Sequence, residues 1–192
     1  MNDYGNGPST GLDQTAIGKI ITGFTPEDVE ISAGDRVVLR ALAERVVIIA
    51  ETPEMNEGRD LWRRHNSLEK TRPVIFCDPE NGWNEIITEA QMKCVGKLAR
   101  RWEMDLRKEI FWGEAMGDDK PVTRFFDVPY TVSPDYWGVE AVYHSSGQSD
   151  GARSWDAPIE DYERDLPKIR GPEFEIDWVT TNGSLELARQ IF

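Results

Sequence analysis

The chain has 192 residues, 39% hydrophobic and 30% charged, with a formal net charge of −13. That length and balance predict one soluble globular domain with room for a core, and nothing in the chain approaches the ~20 consecutive apolar residues of a membrane span. The acidity argues against nucleic acid or an anionic membrane as partner, since both need clustered Lys and Arg.

Residues 1–32 read as a flexible leader, rich in Gly, Asn, Ser and Thr. Its start lacks the basic and apolar regions of a secretory signal. Ile17, Ile20, Ile21 and Phe24 suggest a short docking turn. The first helix is expected from Ala33 to Glu51, capped by Ser32 with Asp35 in the box position. Its apolar stripe is Leu39, Leu42, Val46 and Ile49. Thr52-Pro53 then signals a second helix start, with Leu61, Trp62, His65 and Leu68 on one face. A packed histidine beside Trp62 is the simpler account of His65.

Arg72-Pro73-Val74-Ile75-Phe76-Cys77 reads as a strand with an unbroken apolar centre, the pattern of a parallel strand buried on both faces. The longest helix is expected from Ala90 to Met116, with Val95, Leu98, Trp102, Leu106 and Ile110 inward and Glu103 paired to Arg107. Trp102 and Trp112 are read as core anchors. Gly117-Asp118-Asp119 stops it. Strands are expected over 122–130 and 136–143, a Gly/Ser loop over 145–153, and the start of a short acidic helix or turn at 157–162. Extended chain over 174–179 precedes a helix over 184–192. That helix ends on Ile191-Phe192 with no stop signal, so the expectation is a truncated or partner-dependent chain. Two cysteines, Cys77 and Cys94, make no disulfide framework and point to a reducing, cytoplasmic setting. Cys94 is expected on the long helix as a small buried hydrophobe, Cys77 at a strand end. His144, near a strand end, has no visible partner.

The richest segment is the turn after Cys77: Asp78-Pro79-Glu80-Asn81-Gly82-Trp83-Asn84-Glu85. In α/β folds ligands gather at the carboxyl ends of strands. Asp78, Glu80 and Glu85 are the candidate acid/base groups, because paired carboxylates can divide acid and base roles. Cys77, Asn81, Asn84 and Trp83 are the candidate substrate contacts. The structural alternative gives Asp78-Pro79 a turn start, Asn81-Gly82 a positive φ, and Trp83 a packing role.

The run from Thr71 to Ile86, with Leu98-Ala99-Arg100-Arg101-Trp102-Glu103-Met104 and Arg107-Lys108-Glu109-Ile110-Phe111-Trp112-Gly113, resembles uncharacterised bacterial members of the uroporphyrinogen decarboxylase superfamily. That superfamily also holds cobalamin-dependent methyltransferases. Tyr136-Trp137-Gly138 and Ser154-Trp155-Asp156-Ala157-Pro158 extend the resemblance over residues 33–192. It implies an α/β chain, in which leading helices precede the first part of a TIM (β/α)8 barrel, all within one domain from 33 to 192. Members are about twice as long. The superfamily's decarboxylases place arginines after the Arg-Pro strand to hold porphyrinogen propionates. Asp78 and Trp83 stand there instead, which speaks against a polyacid substrate. The methyltransferase branch implies zinc and a corrinoid protein. His65, Cys77, Cys94 and His144 have no zinc spacing, so no complete metal site is expected within these residues.

The resulting expectation is the N-terminal part of a superfamily enzyme. It would perform transfer chemistry on a small molecule, such as corrinoid-linked methyl transfer, and be inactive alone. The alternatives are a non-catalytic split-barrel module needing a complementary segment and, lowest, uroporphyrinogen decarboxylation.

Overall fold

A computed structural model of the chain describes residues 24–25, 28–133, 137–147 and 152–192. Most of the expected leader, including Ile17, Ile20 and Ile21, lies outside the described residues. The chain is mixed α and β, and its contacts divide it into two compact units. The larger comprises 24–128 and 182–192; the smaller, among described residues, comprises 129–181.

The larger unit is helical and holds the apolar core. Helix α1 (Ala33–Ala50) starts where the Ser32 hydroxyl accepts the Asp35 N–H, and it buries Leu39, Val46 and Ile49 as the stripe requires. Helix α2 (Pro53–Asn66) starts at the Thr52 cap and buries no residue. Leu68, expected on its apolar face, lies past its end, is 93% exposed and has a positive φ. After a short α3 (Trp83–Ile86), helix α4 (Lys97–Phe111) packs on α1. Leu39, Leu98 and Trp102 are the largest fully buried apolar side chains of this core, each contributing about 2 kcal/mol. Trp102 meets Phe126 and Phe192 at ring distances of 5.4 and 5.8 Å, so both expected tryptophan anchors are seated, with Trp112 also buried.

The long helix departs from expectation at its start and in the winding of its last turn, and stops at Gly117 as expected. It begins at Lys97, not Ala90, and beyond Phe111 it continues as a π-helical turn, Trp112–Met116, ending at Gly117 with φ 71°. Cys94 is buried but sits in the extended lead-in, not on the helix. The cause lies in two buried carboxylates. Glu103 accepts the N–H of Lys93 (2.9 Å) and Cys94 (2.7 Å), and Asp35 accepts that of Val95 (2.9 Å) and Gly96 (3.4 Å). Four successive amides are thus satisfied by side chains, and the segment has no need of helical partners. Glu103 also pairs with Arg107, as expected.

Residues 72–77 form no strand. The segment is extended, with Ile75 59% and Phe76 50% exposed, so the expected burial on both faces is corrected. Its backbone is bonded to a loop: Ile75 N–H to Asp119, Cys77 N–H to Asp118, and the Asp119 N–H to the Ile75 carbonyl, each at 2.8 Å. A β partner is replaced by two side-chain carboxylates.

The smaller unit holds the β structure. Strand β1 (Val132–Ser133) pairs antiparallel with β4 (Glu175–Ile176), and β2 (Val142–Ser145) with β3 (Arg153–Asp156). Between β3 and β4 lies a short helix, α5 (Tyr162–Asp165), continued by a 3-10 turn over Leu166–Lys168, following the segment expected to start a short acidic helix or turn. All pairings among the described residues are antiparallel, and no barrel is seen among them. The strand expected over 122–130 is irregular. Its Val122 N–H goes to the Met55 sulfur, and its carbonyl to Arg59. The strand expected over 136–143 appears as β2, shifted later; residue 136, and residues 148–151 of the Gly/Ser loop, fall outside those described. The final helix, α6 (Trp178–Ile191), begins six residues before expectation. Asp177 takes the Thr180 N–H at 3.0 Å and its hydroxyl at 2.5 Å, an N-cap that overrides the strand preference of Trp178-Val179-Thr180.

Candidate functional site

The turn after Cys77 is built by Asp78. Its Oδ1 accepts the Glu80 N–H at 3.0 Å and the Trp83 indole N–H at 2.8 Å. These bonds close a 3-10 turn, Glu80–Gly82, that runs into α3. The positive φ falls on Glu80 (50°), while Gly82 keeps −68°, so the expected Asn81-Gly82 conformation is not used. The Asp78 carboxylate, by accepting the Glu80 N–H two residues on, holds the turn at that position.

Trp83 is buried, at 4.6 Å from the Trp112 ring and 5.8 Å from that of Phe111. Phe76 stacks on Trp112 at 5.9 Å, and the Trp112 indole N–H donates to the Cys77 carbonyl at 3.0 Å. The Lys120 ammonium lies 4.2 Å over the Trp112 ring while pairing with Glu109. The back of the turn is therefore an aromatic cluster capped by a cation.

The front is open. Cys77, Asp78, Glu80, Asn81, Asn84 and Glu85 are all exposed. Among the described residues, the Glu80, Asn81 and Glu85 side chains have no hydrogen-bond partner. Asp78 is spent on the turn itself, and Trp83 presents no open face. The structure thus brings the seven candidate residues onto one short segment, with Glu80 and Glu85 as its free carboxylates.

Sequence reasoning missed Asp118 and Asp119, read only as a helix stop. They hold the segment that carries the turn. The Arg72 guanidinium clamps Asp119 with both terminal nitrogens, one at 2.7 Å, which agrees with a structural role for Arg72. That pairing, helped by the Ile75 N–H, lowers the Asp119 carboxyl to about 2. Trp62 adds an indole bond to the Asp119 carbonyl at 2.6 Å. The available signal was an acidic pair, complementary to Arg72, placed just after the motif block that ends at Gly113.

The metal-type side chains do not converge. Among the described residues no three His, Cys, Asp or Glu groups lie close enough to hold an ion. His65 packs edge-on against Trp62 at 6.3 Å, and His144 meets Asp156 at 2.9 Å. Burial, with Glu103 and Asp35 alongside, pushes the Cys94 thiol up to about 12, the opposite of a thiolate ligand. These residues do not fit a zinc site. Among the described residues no helix is long and apolar enough to cross a membrane.

A scan against protein-family models, a search of curated proteins and a search of solved structures returned no match for the chain.

Proposed function

We propose that the chain is the N-terminal part of an enzyme of the uroporphyrinogen decarboxylase superfamily, in which these residues open a TIM-type barrel and the turn after Cys77 faces a small-molecule substrate. The reading favours group transfer, such as methyl transfer with a corrinoid protein, over porphyrinogen decarboxylation. One observation carries it. Two separated blocks of the motif, 71–86 and 107–113, pack together: Phe76, Cys77 and Trp83 from the one against Phe111 and Trp112 from the other. That joint packing supports reading the motif as a single functional unit. In this proposal Glu80 and Glu85 serve as proton-transfer groups, and Asp78 holds the turn. An acidic Asp78 in the place of an arginine supports a substrate other than a polyacid.

The test mixes the chain with a methylated corrinoid protein and follows co-sedimentation and the corrinoid absorbance. Association is the expected result, weakened by Glu80→Gln with Glu85→Gln. Absence of association overturns the reading.

A second reading has its own observation. Among the described residues of 129–181 only Thr131, Asp165, Thr180 and Thr181 are buried, while Tyr130, Trp137, Tyr143, Trp155, Phe174 and Trp178 are more than half exposed. Such a surface supports a module that needs a complementary segment to cover it. A monodisperse, stable monomer in sedimentation counts against it.

A further inference from the structure

A cleft of about 370 Å³ lies in the larger unit, lined by residues of the α1 terminus, α2 and the segment 123–125, and by none from the turn after Cys77. Its charged residues are Glu51, Arg59 and Arg124, beside Asn56, Thr123 and Phe125.

Arg59 is held by neutral acceptors only. One terminal nitrogen donates to the Val122 carbonyl at 2.9 Å; the other donates to the Ala50 carbonyl at 2.8 Å and the Asn56 side-chain oxygen at 2.7 Å. These bonds fix the guanidinium without neutralising it. Most arginines of this acidic chain find a carboxylate, as Arg45 finds Glu114, Arg72 Asp119 and Arg107 Glu103. Among the described residues Arg59 and Arg124 form no ion pair, and Glu51, lining the same cleft, pairs with neither. Two guanidinium charges against one carboxylate leave the lining locally positive within a chain of net charge −13.

A locally cationic cleft in an anionic protein selects small anions over the mean field. Guanidinium forks favour planar or tetrahedral oxyanions, which they can bind through paired hydrogen bonds. Because Arg59 is already immobilised by three bonds, little side-chain entropy remains to be lost on binding. Phe125 is 77% exposed and adds an aromatic wall. A volume of this size suits a small ligand. We infer that this cleft binds a small oxyanion carried on a flat apolar group, an aryl carboxylate or an aryl phosphate monoester, with the Arg124 fork on the oxyanion, the fixed Arg59 charge beside it and Phe125 on the ring. The inference is independent of the function proposed for the turn.

Calorimetric titration of the chain with phenyl phosphate, benzoate and inorganic phosphate tests it. Saturable binding of phenyl phosphate or benzoate is expected, and the tighter of the two identifies the anion type. Arg124→Gln, a surface change whose fold is checked by circular dichroism, should weaken both by about tenfold. Phe125→Ala should weaken the aryl ligands and spare inorganic phosphate. No saturable binding of either aryl anion, or affinities unchanged in Arg124→Gln, overturns the inference.

Discussion

At the scale of single residues, the fold depends on carboxylates used as backbone acceptors. Glu103 is fully buried and Asp35 nearly so, and between them they hold the amides of 93–96. Burial alone would raise both carboxyl pKa values. For Glu103 the Cys94 N–H, Arg107 and the Lys93 N–H outweigh burial; for Asp35 the Val95 N–H, the Ser32 hydroxyl and the Gly96 N–H do so. Both groups therefore titrate below their ordinary values of 4.5 and 3.8. A lowered folded pKa means that the unfolded chain binds more protons in acid. Their contribution is complete above those ordinary values and is lost as pH falls through the lowered ones. Glu103→Gln removes the charge facing Arg107 and one acceptor, and should cost about 2–3 kcal/mol. Urea midpoints should show that gap at pH 7 and a smaller one near the acid limit. An unchanged midpoint at pH 7 would mean the carboxylate does not secure the segment.

At the scale of elements, the helix starts were written locally. Ser32 and Thr52 each precede their helix and each accepts an N–H three residues on, so a short window of sequence suffices. The ends of α4 were not. Its start is set by Asp35, some sixty residues away, and its π-helical end by what the core admits. At Gly113 an added Cβ would lie 2.3 Å from Ile49 Cγ2 and 3.2 Å from Val122 Cγ2. Ile49 is β-branched and buried, so it yields poorly. Gly113→Ala should cost about 1–3 kcal/mol through overpacking. Gly117→Ala meets nothing within 4 Å and suffers only its φ of 71°, a penalty of about 1 kcal/mol. Thermal melts should rank wild type above Gly117→Ala above Gly113→Ala. Equal stability of the wild type and Gly113→Ala would show that the helix end can open without loss.

At the scale of the whole molecule, apolar burial is unequally shared. Every buried hydrophobic residue among those described belongs to the larger unit. The smaller unit is held by short antiparallel pairs and by polar bonds, such as those Arg164 and Lys168 donate to Asp165. Two-stranded pairs are marginal in water without a covering layer. Hydrogen exchange should therefore show α1 and α4 protected long after the amides of β2 and β3 have exchanged. Comparable protection of β2–β3 and α4 would mean that something covers the hairpin in solution.

The helical stripe of α1, the caps, the aromatic anchors Trp102 and Trp112, and the Glu103–Arg107 pair could all be read from the sequence. Each depends on neighbours a turn or so away, or on apolarity, which demands burial whatever the partner. The apolar run at 74–76 could not be read in that way. Hydrophobic pattern reports a wish for burial and an extended or helical period, but never names what accepts the backbone N–H groups. In this chain those acceptors are Asp118 and Asp119, more than forty residues distant. The turn after Cys77 shows the same division. Its residue types, and the lead they offered, belonged to the sequence. That Trp83 is buried, Asp78 is spent on its own turn, and Glu80 and Glu85 stand free was decided only when Phe111 and Trp112 closed behind them, because packing is a relation between distant side chains and not a property of any one.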